Sequence, residues 1–308
     1  MVISTGMRTD IPAFYSEWFL NRLREGFVCV RNPYREERVT KYLLSPNVVD
    51  CITFCTKNPK PMLSHIDELT DYGQFWFVTI TPYGKDIEPN VPPVPDVIES
   101  FKKLSAKIGK SAVSWRYDPI FFGSGFDINK HVEEFEKIAE ELKGYTNSCV
   151  ISFLDMYKKV ERNAPDIYPP DIEKQKILCR ALVKIGGKNG ITIKTCYENA
   201  CLQECGVDIS GCQTKTTIEN AIGQNLNVPN KRNQGGSCNC LLGNDIGAYD
   251  SCGHLCKYCY ANADKELVLK NRKLHNPESP FLIGNYRAGD IVTEAKQESY
   301  IGRQLSLF

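Results

Sequence analysis

Ser111-Ala-Val-Ser-Trp-Arg-Tyr-Asp-Pro119, His131-Val-Glu-Glu-Phe-Glu-Lys-Ile-Ala-Glu-Glu-Leu142 and Ser148-Cys-Val-Ile-Ser-Phe-Leu154 follow one another, and their order decides the fold. The first and third runs are short and nearly continuously apolar, as strands buried on both faces are. In the middle run, Val132, Phe135, Ile138, Ala139 and Leu142 form one stripe at helical spacing, and Gly144 supplies a stop. A strand, a helix and a second buried strand make a parallel crossover unit. The same reading applies outward to Val2–Thr5, Val49–Phe54, Phe75–Thr81 and Ile191–Thr195, with a further helix over Asp171–Ile185. Six such units predict an α/β fold whose parallel sheet is covered by helices and curled by right-handed crossovers. An eight-stranded barrel and an open doubly wound sheet fit the same pattern.

In parallel α/β folds ligands bind at the carboxyl ends of the strands, so the residues after each run are the candidates. Arg8, Thr9 and Asp10 follow the first, Thr56, Lys57 and Asn58 the second, and Thr81 and Tyr83 the third. Arg116 and Asp118 end the fourth, Asp155 follows the fifth, and Cys196, Glu198 and Asn199 the sixth. Arg8, Asp10, Arg116 and Asp118 are the candidate catalytic set. Arginine offers a bidentate fork to a carboxylate or phosphate, and an ionised aspartate accepts from a hydroxyl or amine. Asp10 also suits the cap of a helix starting near Pro12, and an Arg116–Asp118 pair that closes the mouth is the alternative for those two. Phe27–Val30 and Arg38–Leu44 flank Asn32-Pro33-Tyr34 and predict a hairpin that could flap over the rim. The prolines of Asp86–Asp96 predict an extended loop.

The chain has 308 residues, 42% apolar and 24% charged, with a net charge of +1. These values exclude a disordered or fibrous chain and wholesale electrostatic attachment to nucleic acid. Met1–Met7 is too short for a signal peptide, and no apolar run reaches the roughly 18 to 20 residues that cross a bilayer. A cytoplasmic protein with no membrane partner is expected. In a reducing cytosol, fourteen cysteines, nine of them between Cys196 and Cys259, point to metal rather than disulfides. Cys29, Cys51, Cys55, Cys149 and Cys179 sit in apolar runs and read as small buried hydrophobes.

Cys252-Gly-His-Leu-Cys256-Lys-Tyr-Cys259-Tyr260 spaces three thiols C-x3-C-x2-C, with an aromatic residue before the third. A 4Fe–4S cube takes four thiolates, so three leave one iron open to another ligand. Zinc is the alternative, with His254 or an outlying cysteine completing a tetrahedron. Cys196, Cys212, Cys238 and Cys240 form a candidate second metal site, for a second cluster or a structural zinc, with Cys201 and Cys205 in reserve. Residues 1–195 thus read as the barrel and 196–308 as a cysteine-rich iron–sulfur region with a C-terminal tail.

The motif's spacing and Tyr258 resemble the cluster motif of radical S-adenosylmethionine (SAM) enzymes. That resemblance implies a TIM-like partial (β/α)6 barrel, with SAM on the open iron. Arg8–Tyr15, Thr56–Pro59, Trp115–Pro119, Asp245–Tyr249 and Cys252–Asn262 together resemble the family catalogued as domain of unknown function eighteen-forty-eight. Lys257-Tyr-Cys-Tyr260 is similar to spore photoproduct lyase, a radical SAM enzyme that repairs DNA. Two departures stand out. The cysteine motif lies after the last strand rather than the first, so it must fold back. Thr56, Lys57 and Asn58 replace the Gly-Gly-Glu-like segment that grips SAM, and with Tyr258 they are the expected cofactor-binding residues.

The resemblance implies a radical SAM-like enzyme that draws electrons from a ferredoxin or flavodoxin and acts on an unknown substrate. Electron transfer alone is one alternative, and a non-catalytic iron–sulfur or zinc protein binding nucleic acid is another. Gln304-Leu305-Ser306-Leu307-Phe308 resembles the pentapeptide by which repair proteins dock on the DNA sliding clamp, which would make DNA the substrate. Those apolar residues would equally serve as an anchor packed on the barrel.

Overall fold

In the computed structural model, which describes residues 1–229 and 239–301, all six expected runs are strands. They are β1 (Val2–Ser4), β2 (Cys51–Thr56), β3 (Gly73–Thr79), β4 (Val113–Ile120), β5 (Ser148–Phe153) and β6 (Thr192–Thr195). A seventh, β7 (Asn244–Asp245), pairs with β1 and was not expected. The sheet is parallel throughout, in the order β6-β5-β4-β3-β2-β1-β7. From β1 to β6 each strand of this sheet lies beside the next, and β7 returns to the free edge of β1. Winding over the six therefore never reverses, which excludes the doubly wound order.

Right-handed crossovers in such a sheet place the helices on one face. Side chains alternate along each strand, and the two faces carry different partners. Ile3, Ile52, Trp76, Trp115 and Cys149 join the principal core with Trp18, Phe101, Phe135 and Leu178 of the helices. On the opposite face Val2, Cys51, Phe75, Phe77 and Val150 meet Cys212, Ile218, Leu226 and Leu241 from the C-terminal third. Cys29, Cys51, Cys149 and Cys179 are buried as read, whereas Cys55 is partly exposed.

Helices Val94–Ile108, Ile128–Glu141 and Ile172–Asn189 span the last three crossovers between the six strands. The second starts three residues before the expected His131 because the Asp127 carboxylate accepts from Lys130 N–H. Asp171 likewise caps the third through Lys174 N–H. Between β2 and β3 only two 3-10 turns intervene, Lys60–Met62 and Ile66–Leu69. The proline-rich loop is shorter than read, since the first helix begins at Val94 and takes Pro95 into its first turn.

The hairpin forms from Phe27–Asn32 and Arg35–Leu43, and Ile291–Glu294 adds a third strand parallel to the latter. Residues beyond 195 thus supply strands to the seven-stranded and three-stranded sheets as well as the cover over the second face. Among the described residues no helix is long and apolar enough to cross a membrane. Cys238 and the tail Gln304–Phe308 lie outside the described residues.

Candidate functional site

A cavity of about 450 Å³ opens on the second face of the sheet, toward the carboxyl ends of the strands. Ser4, Cys55, Phe77, Arg116 and Ser152, each from a different strand among β1 to β5, line it. Cys252, Cys256 and Cys259 line it too, together with Cys196 and Cys212. The cluster motif and two members of the second cysteine set, Cys196 and Cys212, therefore border one space. The hairpin contributes nothing to that lining, because Cys29 and Val39 pack on Phe281 instead; it is not a flap.

The cysteine motif folds back onto the loops after β1, β2 and β3. Lys257 N–H donates to Ile87 O at 3.0 Å, and the Tyr260 hydroxyl donates to Met7 O. Inside the loop, Leu255 takes a left-handed φ of 58°, which turns the chain between Cys252 and Cys256. Asn262 Nδ2 donates to Cys252 O at 2.9 Å, and Ala261 N–H donates to Cys259 Sγ at 3.4 Å. Lys159 reaches the Cys259 carbonyl from across the cavity mouth. Burial pushes the Cys252 and Cys256 thiols up from their usual range.

Asp10 is the knot of this arrangement. Its Oδ1 accepts from Ala13 N–H at 3.0 Å, capping helix Ile11–Phe14. Its Oδ2 accepts from Lys57 N–H at 2.8 Å and pairs with His254 Nε2 at 2.9 Å. The capping role read from the sequence is present, and Ala13, Lys57 and His254 are all structural partners of the carboxylate. The other ring nitrogen of His254 faces Asn90 O at 3.3 Å. With both nitrogens committed, His254 does not complete a zinc tetrahedron, and its role is to fasten the motif to Asp10.

Beside the motif lies a buried polar group. Lys57 Nζ is 2.8 Å from Glu88 Oε1 and 3.1 Å from Thr81 Oγ1, and the Tyr258 hydroxyl donates to the same carboxylate. Burial alone would lower the Lys57 ammonium, but Glu88 and the neighbouring Cys256 outweigh it and hold it above its ordinary value. Lys57 and Thr56 line the cavity with Tyr258, whereas Asn58 does not; its Oδ1 accepts from Lys60 N–H in a local turn. Across the floor Arg116 binds Asp118 through Nε at 3.0 Å and through a second guanidinium nitrogen, and Ser152 donates to the other carboxylate oxygen. Burial is the largest single effect on Arg116 and would lower it, but Asp118 together with the Cys55, Cys196 and Cys212 thiols outweighs it and holds the guanidinium well above its usual value. The two therefore pair, and both line the cavity. Arg8 is outside the lining: its guanidinium holds Asp245 at 2.7 Å and so ties β7 to the loop after β1.

At the second cysteine set, Cys212 Sγ lies 3.5 Å from Cys196 Sγ and 3.6 Å from Cys240 Sγ. Cys201 and Cys205 do not join them. They sit on the 3-10 turn Ala200–Cys205, with Cys205 in the helix-side core. Among the described residues no group of three or more His, Cys, Asp and Glu side chains is arranged to hold one metal ion. Thr9 Oγ1, buried without a hydrogen-bond partner, lines the same cavity and leaves a polar atom for a bound group.

Sequence reasoning missed Glu88, which sits in the proline-rich loop where only its neighbours in space reveal a role. It also missed Ser152, Lys159 and the exposed rim tyrosines Tyr157 and Tyr197, which carry no motif. No curated protein and no solved structure matches the chain. A family model does match, over residues 2–261, from β1 through the cysteine motif and both cysteine sets. On that match the chain belongs to the family described as a domain of unknown function, DUF1848.

Proposed function

We propose that the chain is a radical SAM-type iron–sulfur enzyme in which Cys252, Cys256 and Cys259 hold a 4Fe–4S cluster and SAM takes the open iron. The observation that carries this reading is the sharing of one cavity by those three thiols and the polar residues at the strand ends. The parallel strands in chain order support reading the sheet as a six-unit partial barrel of the radical SAM type. Bound there, cluster and SAM would supply one-electron reductive cleavage of a SAM carbon–sulfur bond, with a ferredoxin or flavodoxin as electron source.

The chain's own residues position and shield. Asp10 and His254 fix the cysteine loop, and Glu88 holds Lys57 and Tyr258 beside Cys256. Arg116, already oriented by Asp118, is placed to anchor an anionic group of a substrate through its remaining donors. Arg8 acts at one remove, through Asp245.

The test is anaerobic purification, reconstitution with iron and sulfide, reduction and addition of SAM. Formation of 5′-deoxyadenosine by the native chain, and its loss in Cys256→Ser, is the expected result. A fully loaded cluster that yields none overturns the SAM assignment, and a chain that takes up neither iron nor sulfide overturns the cluster. DNA as substrate is supported by the Gln304–Phe308 sequence and the likeness of Lys257–Tyr260 to spore photoproduct lyase. Retention by sliding clamp should be lost when residues 304–308 are deleted; equal retention of both forms, or of neither, removes that support.

A further inference from the structure

We propose that Cys196 and Cys212 form a thiol–disulfide exchange site on the cavity wall, with Cys196 as nucleophile and Cys212 as resolving thiol, acting on a small disulfide that carries carboxylates. The sulfur contact carries the argument. Cys212 Sγ lies 3.5 Å from Cys196 Sγ and donates its S–H to it. Both residues line the cavity, Cys196 partly exposed and Cys212 buried. The attacking sulfur is thus the one a ligand reaches, and the resolving sulfur is in contact with it.

Each sulfur is held by its backbone. Cys196 N–H donates to Ile151 O at 3.2 Å, which extends the pairing of β6 on β5 by one residue. Tyr197 then takes a left-handed φ of 60°, a conformation uncommon for a bulky residue and one that collects at functional sites. Next to Cys212, Gln213 is tied to Leu241 by two bonds: Leu241 N–H to Gln213 O at 2.7 Å, and Gln213 Nε2 to Leu241 O at 2.8 Å. Charge separates the roles. The hydrogen bond from Cys212 outweighs burial and, with the Arg116 cation, lowers Cys196 below the usual thiol range, while the same contact raises Cys212. Cys196 is therefore the thiolate and Cys212 its protonated partner. Cys240 Sγ, 3.6 Å from Cys212, accepts from Gln213 N–H at 3.4 Å and does not line the cavity, so it is not the sulfur that meets a ligand. Arg116 lines the same cavity and has guanidinium donors beyond those that hold Asp118, which selects a disulfide bearing carboxylates.

The Cys196 thiolate attacks one sulfur of a disulfide R–S–S–R. That S–S bond breaks, R–S⁻ leaves, and a mixed disulfide forms on Cys196. Cys212 gives its proton to the departed thiolate and attacks Cys196 Sγ, displacing a second R–S⁻. The protein loses two electrons in becoming the Cys196–Cys212 disulfide, and the small disulfide gains them, leaving as one thiol and one thiolate.

The full chain, purified anaerobically, is mixed with cystine, quenched with an alkylating reagent and mapped by peptide mass spectrometry, as the native protein and as Cys196→Ser and Cys212→Ser. The native chain should yield a Cys196–Cys212 linkage that dithiothreitol reverses. Cys212→Ser should keep half-cystine on Cys196, and Cys196→Ser should react several-fold more slowly. Hydroxyethyl disulfide, which has no carboxylate, should form the native linkage several-fold more slowly than cystine, each rate taken relative to that of free glutathione with the same disulfide. None of these readouts uses SAM or a reduced cluster, so they stand or fall apart from the radical reading. Cys212 linked to Cys240 instead, two thiols left unlinked, or metal released as the pair is oxidised overturns the proposal. Equal relative rates for the two disulfides overturn it as well. Should a serine variant fail to fold, the linkage map of the native chain decides by the same outcomes.

Discussion

Asp10 holds together three segments that the chain brings from far apart, and its chemistry fixes what a substitution does. Both carboxylate oxygens face donors, from Ala13, Lys57 and His254. In Asp10→Asn one oxygen becomes an amide N–H₂ that must face a donor whichever way it is turned. We expect a loss of about 1–3 kcal/mol in urea unfolding; a change within about 0.5 kcal/mol would show that the knot is dispensable. The capping half of this role was legible, because Asp before Ile-Pro is a helix start. The His254 half was not, since the pair is separated by 244 residues. His131 is a second buried case. Its Nε2 donates to Phe121 O at 2.7 Å, so Nδ1 accepts from the Tyr117 hydroxyl at 2.8 Å and the ring is neutral. Burial holds its pKa below 6.5, against the weaker raising effects of Phe121 O and Asp127. The unfolded chain therefore binds the proton first: this contribution is complete above the unfolded pKa and is lost as pH falls through the folded one. Melting temperature should drop on acidification from about pH 7 to 5, and His131→Gln should flatten the slope. His275, also lowered by burial, adds a slope of the same sign that the variant keeps.

At the scale of elements, the period of the apolar residues found every strand of six and both named helices, because buried strands and amphipathic helices are written in residues close in sequence. The two-residue β7 has no such signature: Asn244 and Asp245 are polar, and their pairing with Ile3 and Ser4 exists only once the C-terminal third has folded back. The last turn of helix Ile172–Asn189 shows how tightly one element sits on the next. A Cβ on Gly186 would lie 2.5 Å from Ile191 O, while one on Gly187 would meet nothing within 4 Å. Adjacent glycines should therefore respond oppositely to alanine. Gly187→Ala should stabilise by about 0.4–1 kcal/mol through the unfolded chain, and Gly186→Ala should destabilise by about 1–3 kcal/mol by forcing helix and β6 apart. Chemical denaturation of both variants measures the difference, and a shared sign would contradict the packing described.

At the scale of the whole molecule, the helix side of the sheet is a core that the chain builds as it goes. The other side is finished only by residues from beyond 195. The cysteine motif is the part of that second side that reaches furthest back. Its ties run to the loops after β1 and β3: His254 to Asp10 at 2.9 Å and Tyr260 to Met7 O in the first, and Lys257 N–H to Ile87 O at 3.0 Å in the second. Asn90 adds bonds to Gly253 O and His254 O, and Tyr258 one to Glu88, so a segment with no helix or strand of its own between Cys252 and Tyr260 is held by side-chain and loop contacts alone. If metal holds the three thiols, removing it should loosen the loop and its anchors together, because each tie is one end of the same cooperative unit. Hydrogen exchange on iron-loaded and chelator-treated protein tests this. Faster exchange is expected at 250–263, 6–14 and 84–91, with no change in the sheet of the hairpin and Ile291–Glu294, which shares no contact with the motif's cavity. Equal protection of the loop in both forms would mean that the protein fold alone holds it. A loss spread evenly over both sheets would mean that the metal stabilises the molecule without organising this loop.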